Sequence, residues 1–265
     1  MSFSTIYETW CLFRIIRMKQ LWIISGKRGY VQMRLDKFLC EMNLGTRSRV
    51  KDLIRRGSVT VNGAPVRNAD IKIDERTDLV CVQGQELCYQ RFYYYMLNKP
   101  AGLISATKDR VSATVMELLR PEDRRLDLFP AGRLDKDTEG FLLLTNDGEL
   151  AHRLLAPKKH VDKTYRVNIE HDLSPEDVKR LEQGVDIGED RLTLPAKVQQ
   201  PGEKVILLTL HEGKFHQVKR MLKAVDNCVI ALKRISFGGL MLDENLRPGE
   251  YRELTEEEVK ILYGT

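Results

Sequence analysis

Apolar residues change their spacing along this 265-residue chain, and each change marks an element. Residues 10 to 25 are apolar only in patches, broken by Arg14, Arg17 and Lys19. From Met33 a period appears. Leu35, Phe38, Leu39 and Met42 recur at helical spacing, and Gly45 ends that helix. Thr46 or Ser48 caps a second helix with the stripe Val50, Leu53 and Ile54, stopped by Gly57. Val59-Thr60-Val61 reads as a strand, and Asn62-Gly63 is a two-residue hairpin signal. Leu79 to Val82 predicts an edge strand. Tyr93 to Asn98 is rich in strand formers, and Lys99-Pro100-Ala101-Gly102 turns the chain. Strands are expected to end near Leu128-Phe129-Pro130 and to run over Phe141 to Thr145, with a turn at Asn146-Asp147-Gly148 and a helix over Glu149 to Leu155. Lys163 to Ile169 alternates like a half-buried strand. A helix over Pro175 to Gln183 is capped by Ser174. A strand over Val205 to Leu210 precedes a basic helix over His216 to Ala224. Cys228 to Ile235 is strand-like, and Pro248 to Arg252 turns into a last helix capped by Thr255. Strands outnumber helices without alternating with them, which predicts an α+β fold with a mixed, largely antiparallel sheet. Three segments are expected: 1–32, a poorly ordered extension or the product of an upstream start codon; 33–90, a small module and its connector; and 91–265, the main body.

Charge sharpens this division. Residues 33 to 72 hold nine Lys/Arg against four Asp/Glu, whereas the chain as a whole has a net charge of +5. Residues 1 to 32 add five basic and one acidic, so the remainder is net negative. A basic module on a mildly acidic body points to a handle for a polyanion. The five cysteines are scattered and unpaired in sequence, which argues against a disulfide framework or zinc site and for the reducing cytoplasm. No phosphate-binding or dinucleotide-binding glycine motif occurs, and no apolar run reaches membrane-spanning length.

Three constellations carry candidate chemistry. In Gly132-Arg133-Leu134-Asp135-Lys136-Asp137-Thr138-Glu139-Gly140, two glycines bracket a carboxylate in a loop feeding an apolar strand, a place where a side chain is held still yet uncovered. Asp135 is the candidate reacting group, with Asp137 available to the same task. A carboxylate buried beside a substrate needs a cationic partner, and Arg133, Lys219 and Arg220 are candidates. The second constellation, Gly213-Lys214-Phe215-His216-Gln217-Val218-Lys219-Arg220-Met221, is a glycine turn into a donor-rich helix start. The third is Tyr165, an aromatic just after a basic cluster, suited to stacking on a base.

Two resemblances follow from these residues. Arg34-Leu35-Asp36-Lys37-Phe38-Leu39, Ser48-Arg49 and Gly57-Ser58-Val59-Thr60-Val61-Asn62-Gly63 resemble the alpha-L (S4-like) RNA-binding module, which implies phosphate contacts by Arg47, Arg49, Arg55 and Arg56. Asn98-Lys99-Pro100-Ala101-Gly102, the Asp135 loop, Lys163-Thr164-Tyr165 and the Gly213–Met221 segment, in that order, resemble the Rsu branch of the RNA pseudouridine synthases. The tail Phe237-Gly238-Gly239-Leu240 with Pro248-Gly249-Glu250-Tyr251-Arg252 is closest to members acting on the small ribosomal subunit.

The resemblance implies isomerisation of a uridine in 16S ribosomal RNA, uridine-516, without cofactor or metal. The uracil is detached from its ribose, rotated and rejoined through carbon. Asp135 is then the catalytic carboxylate, acting on the sugar or as a base. Tyr165 stacks on the target, and Lys219, with Arg220 as the alternative, is the basic partner. Arg133 fills the space left by the flipped nucleotide or holds the backbone there. Lys99 and Arg220 join the RNA-binding set. The implied partner is ribosomal RNA or a small-subunit assembly intermediate met by a monomer, with no membrane. The rivals are a large-subunit (23S) synthase of the same family and a non-catalytic ribosome-associated RNA-binding protein.

Overall fold

The computed structural model describes residues 32–264 except 43, 76, 88, 89, 157, 158 and 160. The expectation for residues 1–31 lies outside the described residues. The chain divides into two compact units, Met1–Arg91 and Phe92–Thr265.

In the first unit, strand β1 (Gln32–Arg34) leads into helix α1 (Leu35–Glu41) and helix α2 (Arg47–Arg55). Leu35, Phe38 and Leu39 of α1 and Val50 and Ile54 of α2 are buried together. Thr46 Oγ1 accepts from the Arg49 amide and caps α2. Val50 and Ile54 take the inner face, which leaves Arg49, Arg55 and Arg56 exposed, and Arg47 is exposed at the first position of the helix. Strands β2 (Val59–Val61) and β3 (Ala64–Pro65) form a hairpin, and β4 (Lys72–Asp74) pairs with β1. Asn62 and Gly63 both have positive φ, 52° and 80°, as the tight turn requires. Strand β5 (Val80–Val82) is not the expected edge strand. It lies between β2 and β6 (Gln85–Leu87), with partners on both sides. Val80 and Val82 both turn into the core, a burial that a three-residue run cannot announce.

The second unit is built on one sheet in the order β11-β12-β10-β13-β9-β7-β15. Its strands are β7 (Tyr94–Lys99), β8 (Phe129–Pro130), β9 (Glu139–Thr145), β10 (Lys163–Ile169), β11 (Lys197–Gly202), β12 (Val205–Leu210), β13 (Val229–Phe237), β14 (Leu240–Met241) and β15 (Tyr251–Glu253). Helices α3 (Gly148–Leu155), α4 (Pro175–Gln183), α5 (Gln217–Lys223) and α6 (Glu256–Gly264) complete it. The predicted α+β class and mixed, largely antiparallel sheet are what is found. Among the described residues only β9 and β13 run parallel. Every residue of β7 is buried, as a central strand covered on both faces requires. Asp147 caps α3 by accepting from Glu149 and Leu150, and Ser174 caps α4 in a capping box.

Several short strands were not legible in advance, β11 and β15 among them. β11 exposes all but Val198 and contains Pro201 and Gly202, so it carries no apolar alternation. β15 is three residues that pair with β7 where a turn was expected.

The parallel contact between β9 and β13 fixes the site described below. Gly140 sits opposite Arg234 with φ of 101°, and a Cβ there would lie 2.2 Å from the Arg234 carbonyl oxygen and 2.8 Å from its amide nitrogen. Backbone occupies the space a side chain needs. Gly140→Ala is expected to destabilise the protein by about 3 kcal/mol or more through clash and strained φ. Urea unfolding checks this, and a midpoint equal to that of the parent would remove the close approach from its role.

Candidate active site

The loop between β8 and β9 carries Asp135, and its backbone is tied down from beneath. Ser105 Oγ donates to the Leu134 carbonyl and accepts from the Leu134 amide, both at 3.0 Å. The Thr138 amide donates to the Asp135 carbonyl at 3.1 Å, and the Gly102 amide to the Lys136 carbonyl at 2.7 Å. The Lys99 ammonium, at the end of β7, donates to the carbonyls of Thr138 (2.7 Å), Pro100 (3.0 Å) and Lys136 (3.3 Å). The carbonyls of Leu134, Asp135, Lys136 and Thr138 therefore all have partners. Leu134 is buried, while the side chains of Arg133, Asp135 and Asp137 reach the outer side. A pinned backbone under outward-facing side chains is the arrangement an active-site loop needs.

Above the loop lies the start of α5. Lys219 Nζ donates to both oxygens of Asp137, at 2.6 and 2.8 Å, and sits 3.4 Å from Asp135 Oδ2. Burial draws the Lys219 pKa down, but the hydrogen bond and charge of Asp137, with those of Asp135, outweigh it and raise the value. The Lys219 hydrogen bond holds Asp137 below the usual carboxylate range. His216 Nε2 is 3.7 Å from Asp135 Oδ1. His216 is the N-cap of α5 and adopts left-handed φ,ψ of 48° and 34°, a conformation uncommon outside glycine. On the remaining side, a bulge in the β10–β13 register falls between Thr164 and Tyr165, a device that re-aims side chains. Tyr165 lines the same cleft as Arg133, Asp135, Thr138, His216 and Lys219, a space of about 470 Å³ open to solvent.

Comparison with known proteins places the chain in a family. Residues 93–224 match the family model for RNA pseudouridylate synthase, and residues 33–79 match the S4 domain. The uncharacterized RNA pseudouridine synthase YtzG of Bacillus subtilis is 53% identical over 87% of this chain and 98% of its own length. The ribosomal small subunit pseudouridine synthase A of Vibrio cholerae is 43% identical over 87% of this chain and 100% of its own. The Escherichia coli protein of that name is 42% identical over 86% and 98%. A crystal structure of a pseudouridylate synthase superposes with a TM-score of 0.62 at 37% identity, covering 87% of this chain and 99% of the other. This chain belongs to the RNA pseudouridine synthase family.

The synthase brings together four of its expected residues, Asp135, Tyr165, Lys219 and Arg133, in one cleft. Two expectations need correcting. Lys99, placed in the RNA-binding set, has no exposed surface, and its ammonium is turned into the loop backbone. It supports the loop and cannot touch RNA from there. Arg220, the alternative partner of Asp135, turns away: it donates to Glu189 Oε1 at 2.8 Å, to the Phe215 carbonyl at 3.1 Å and to the Ile187 carbonyl. On a helix, neighbours in sequence face different directions, so Lys219 and Arg220 cannot both meet the loop.

Sequence reasoning missed His216 and Ser105. His216 stood inside a segment singled out for its cations, but nothing local shows that its ring reaches Asp135. Ser105 lies 29 residues before Leu134 in an irregular stretch, where no period points to a partner. Among the described residues no group of three His, Cys, Asp or Glu could hold a metal ion.

Burial lowers the Lys99 pKa to about 8, against the opposing pull of Asp137, Glu139 and Asp135. Below about 8 both folded and unfolded chains carry this proton, and the cost of burying it is fully felt. Between about 8 and the ordinary 10.5 the unfolded chain binds the extra proton, so stability contributed by this group rises with pH. Lys163 is shifted in the same direction, to about 8, by burial and by Arg234, so the test is a difference. In Lys99→Met the gain in unfolding free energy across that window is expected to be smaller than in the parent. Equal gains in urea unfolding at matched pH would refute the assignment.

Proposed function

We propose that this enzyme converts uridine-516 of 16S ribosomal RNA to pseudouridine, with Asp135 as the reacting carboxylate and the target nucleotide flipped out of its helix into the cleft. The observation that carries this reading is Asp135 within 3.4 Å of the Lys219 ammonium in a cleft shared with the Tyr165 ring. Relatives named for the ribosomal small subunit, 42–43% identical over nearly their whole length, support the small-subunit target.

The reaction is an isomerisation. The bond from N1 of uracil to C1′ of ribose breaks, the base turns, and C5 bonds to C1′. C5 loses a proton and N1 takes one, so no atom is gained or lost. The Lys219 ammonium, 3.4 Å from Asp135 Oδ2, sets a positive charge beside the reacting carboxylate. Tyr165 offers its face to a uracil that has lost its neighbours, offsetting the few kcal/mol that unstacking costs. Arg133, exposed on the rim beside Asp135, takes the vacated place in the helix or holds the backbone there. In the S4 unit, Arg47, Arg49, Arg55 and Arg56 line the solvent side of α2 and contact phosphates, which give affinity without sequence choice. The substrate is ribosomal RNA or an assembling small subunit, met by a monomer in the cytoplasm.

A pseudouridine-selective reagent followed by mapping of reverse-transcription stops tests the target. The stop at uridine-516 is expected in cells with the gene, to vanish without it, and to stay absent when the gene is restored as Asp135→Asn, a variant that still binds RNA. A stop lost from 23S RNA instead would move the target to the large subunit. Turnover by Asp135→Asn would remove that residue from its role.

The S4 assignment has its own check. Arg55→Ala combined with Arg56→Ala is expected to weaken RNA binding and to reduce the slope of log affinity against log salt by about 1 to 2. An unchanged slope would mean that neither arginine meets a phosphate.

A further inference from the structure

Phe215 is a large side chain beside the site that the reaction leaves unused. The residue is 71% exposed, while its backbone is held from several directions. The Lys214 amide donates to Gln217 Oε1 at 2.9 Å, and the Gln217 amide donates back to the Lys214 carbonyl at 3.2 Å, closing the turn. The Phe215 carbonyl accepts from Arg220, whose guanidinium is in turn fixed by Glu189 and Ile187. The Phe215 ring lies on the His216 imidazole, centroids 3.8 Å apart and planes 20° from parallel. That imidazole is the group 3.7 Å from Asp135.

A lone exposed aromatic is ordinary. An aromatic on a braced turn, stacked on one face and open on the other, one ring away from the reacting carboxylate, is a surface prepared for another flat group. Lys223, exposed on the same segment, supplies positive charge for the backbone that would bring it, whereas Lys214 and Lys219 are paired with carboxylates. One face is taken by His216, so there is room for one base. Tyr165, on β10, is the ring that lines the cleft itself, and Phe215 is outside the set of residues lining it.

We propose that Phe215, held by its stack on His216, is a platform on which one base flanking the target nucleotide stacks while the target occupies the cleft. The proposal rests on the RNA-modifying reading above and adds to it a second aromatic contact, to a nucleotide that does not react. The stacked base keeps the flanking strand from closing over the vacated position, and Phe215 therefore acts on binding and not on the chemical step.

The test uses the full-length protein and a small-subunit RNA fragment with 2-aminopurine placed on one side of the target uridine or on the other. Wild-type protein is expected to quench the probe at one flanking position, and Phe215→Ala to lose that quench and bind about 5- to 100-fold more weakly, the range for one base–aromatic stack. KM is expected to rise by a similar factor with kcat within about twofold. Phe215→Trp should restore both binding and quench, whereas Phe215→Leu, apolar but without a ring face, should not. Thermal unfolding should be unchanged in all three, since the side chain is outside the core.

The two readings fail separately. If wild-type protein quenches the probe but modifies no uridine, the activity assignment falls and the platform stands. If it modifies the RNA while Phe215→Ala binds and quenches as wild type does, or if Phe215→Leu matches Phe215→Trp, the platform is overturned alone.

Discussion

The Lys99 ammonium is fully buried beneath the Asp135 loop, and its three hydrogen bonds go to loop and turn carbonyls: Pro100, Lys136 and Thr138. An ammonium taken out of water needs such partners or it sheds its proton. Here the partners are the backbone of the segment that carries the candidate carboxylate. The cost of burying the charge and the order of the loop are therefore the same arrangement. Nearby Asp135, Asp137 and Glu139 favour the charged form electrostatically. Removing the loop would strand the lysine, and removing the lysine would strand the carbonyls.

The other end of the loop is fixed by shape instead of charge. Gly140 lies against the backbone of Arg234, and no larger residue fits. That contact joins β9 to β13, a parallel pair where the other strand pairs among the described residues are antiparallel, and so sets the Asp135 loop beside the strand that borders Tyr165. With both ends anchored, Arg133, Asp135 and Asp137 remain as outward side chains. Lys219 comes down onto two of them and divides its hydrogen bonds unequally, with Asp137 the nearer partner. Asp137 thus holds the lysine while leaving Asp135 only loosely engaged, which suits a carboxylate that must meet a nucleotide. Arg220, one residue on, braces the turn bearing Phe215 and His216.

Much of this was readable from residue order. The helices of the S4 unit, the Asn62-Gly63 turn, β10, β12 and α4 follow from apolar spacing and caps that act within a few residues. The Asp135 loop could be singled out because bracketing glycines and a following apolar run are local facts. What failed locally were short or polar strands. β15 and β11 exist because β7 and β12 offer them hydrogen bonds, and β5 gains a second neighbour through a hairpin three residues long on each side.

The site divides along the same line. Sequence alone determined which residues could do chemistry, since side-chain type, charge and the motif order are present before folding. Only the tertiary structure decided where each one points. It sent Lys99 inward and Arg220 toward Glu189, and it brought in Ser105 from 29 positions away and the imidazole of His216. A hydrogen bond is set by distance and angle over a few ångströms, and those distances exist only once strands remote in sequence have been laid side by side.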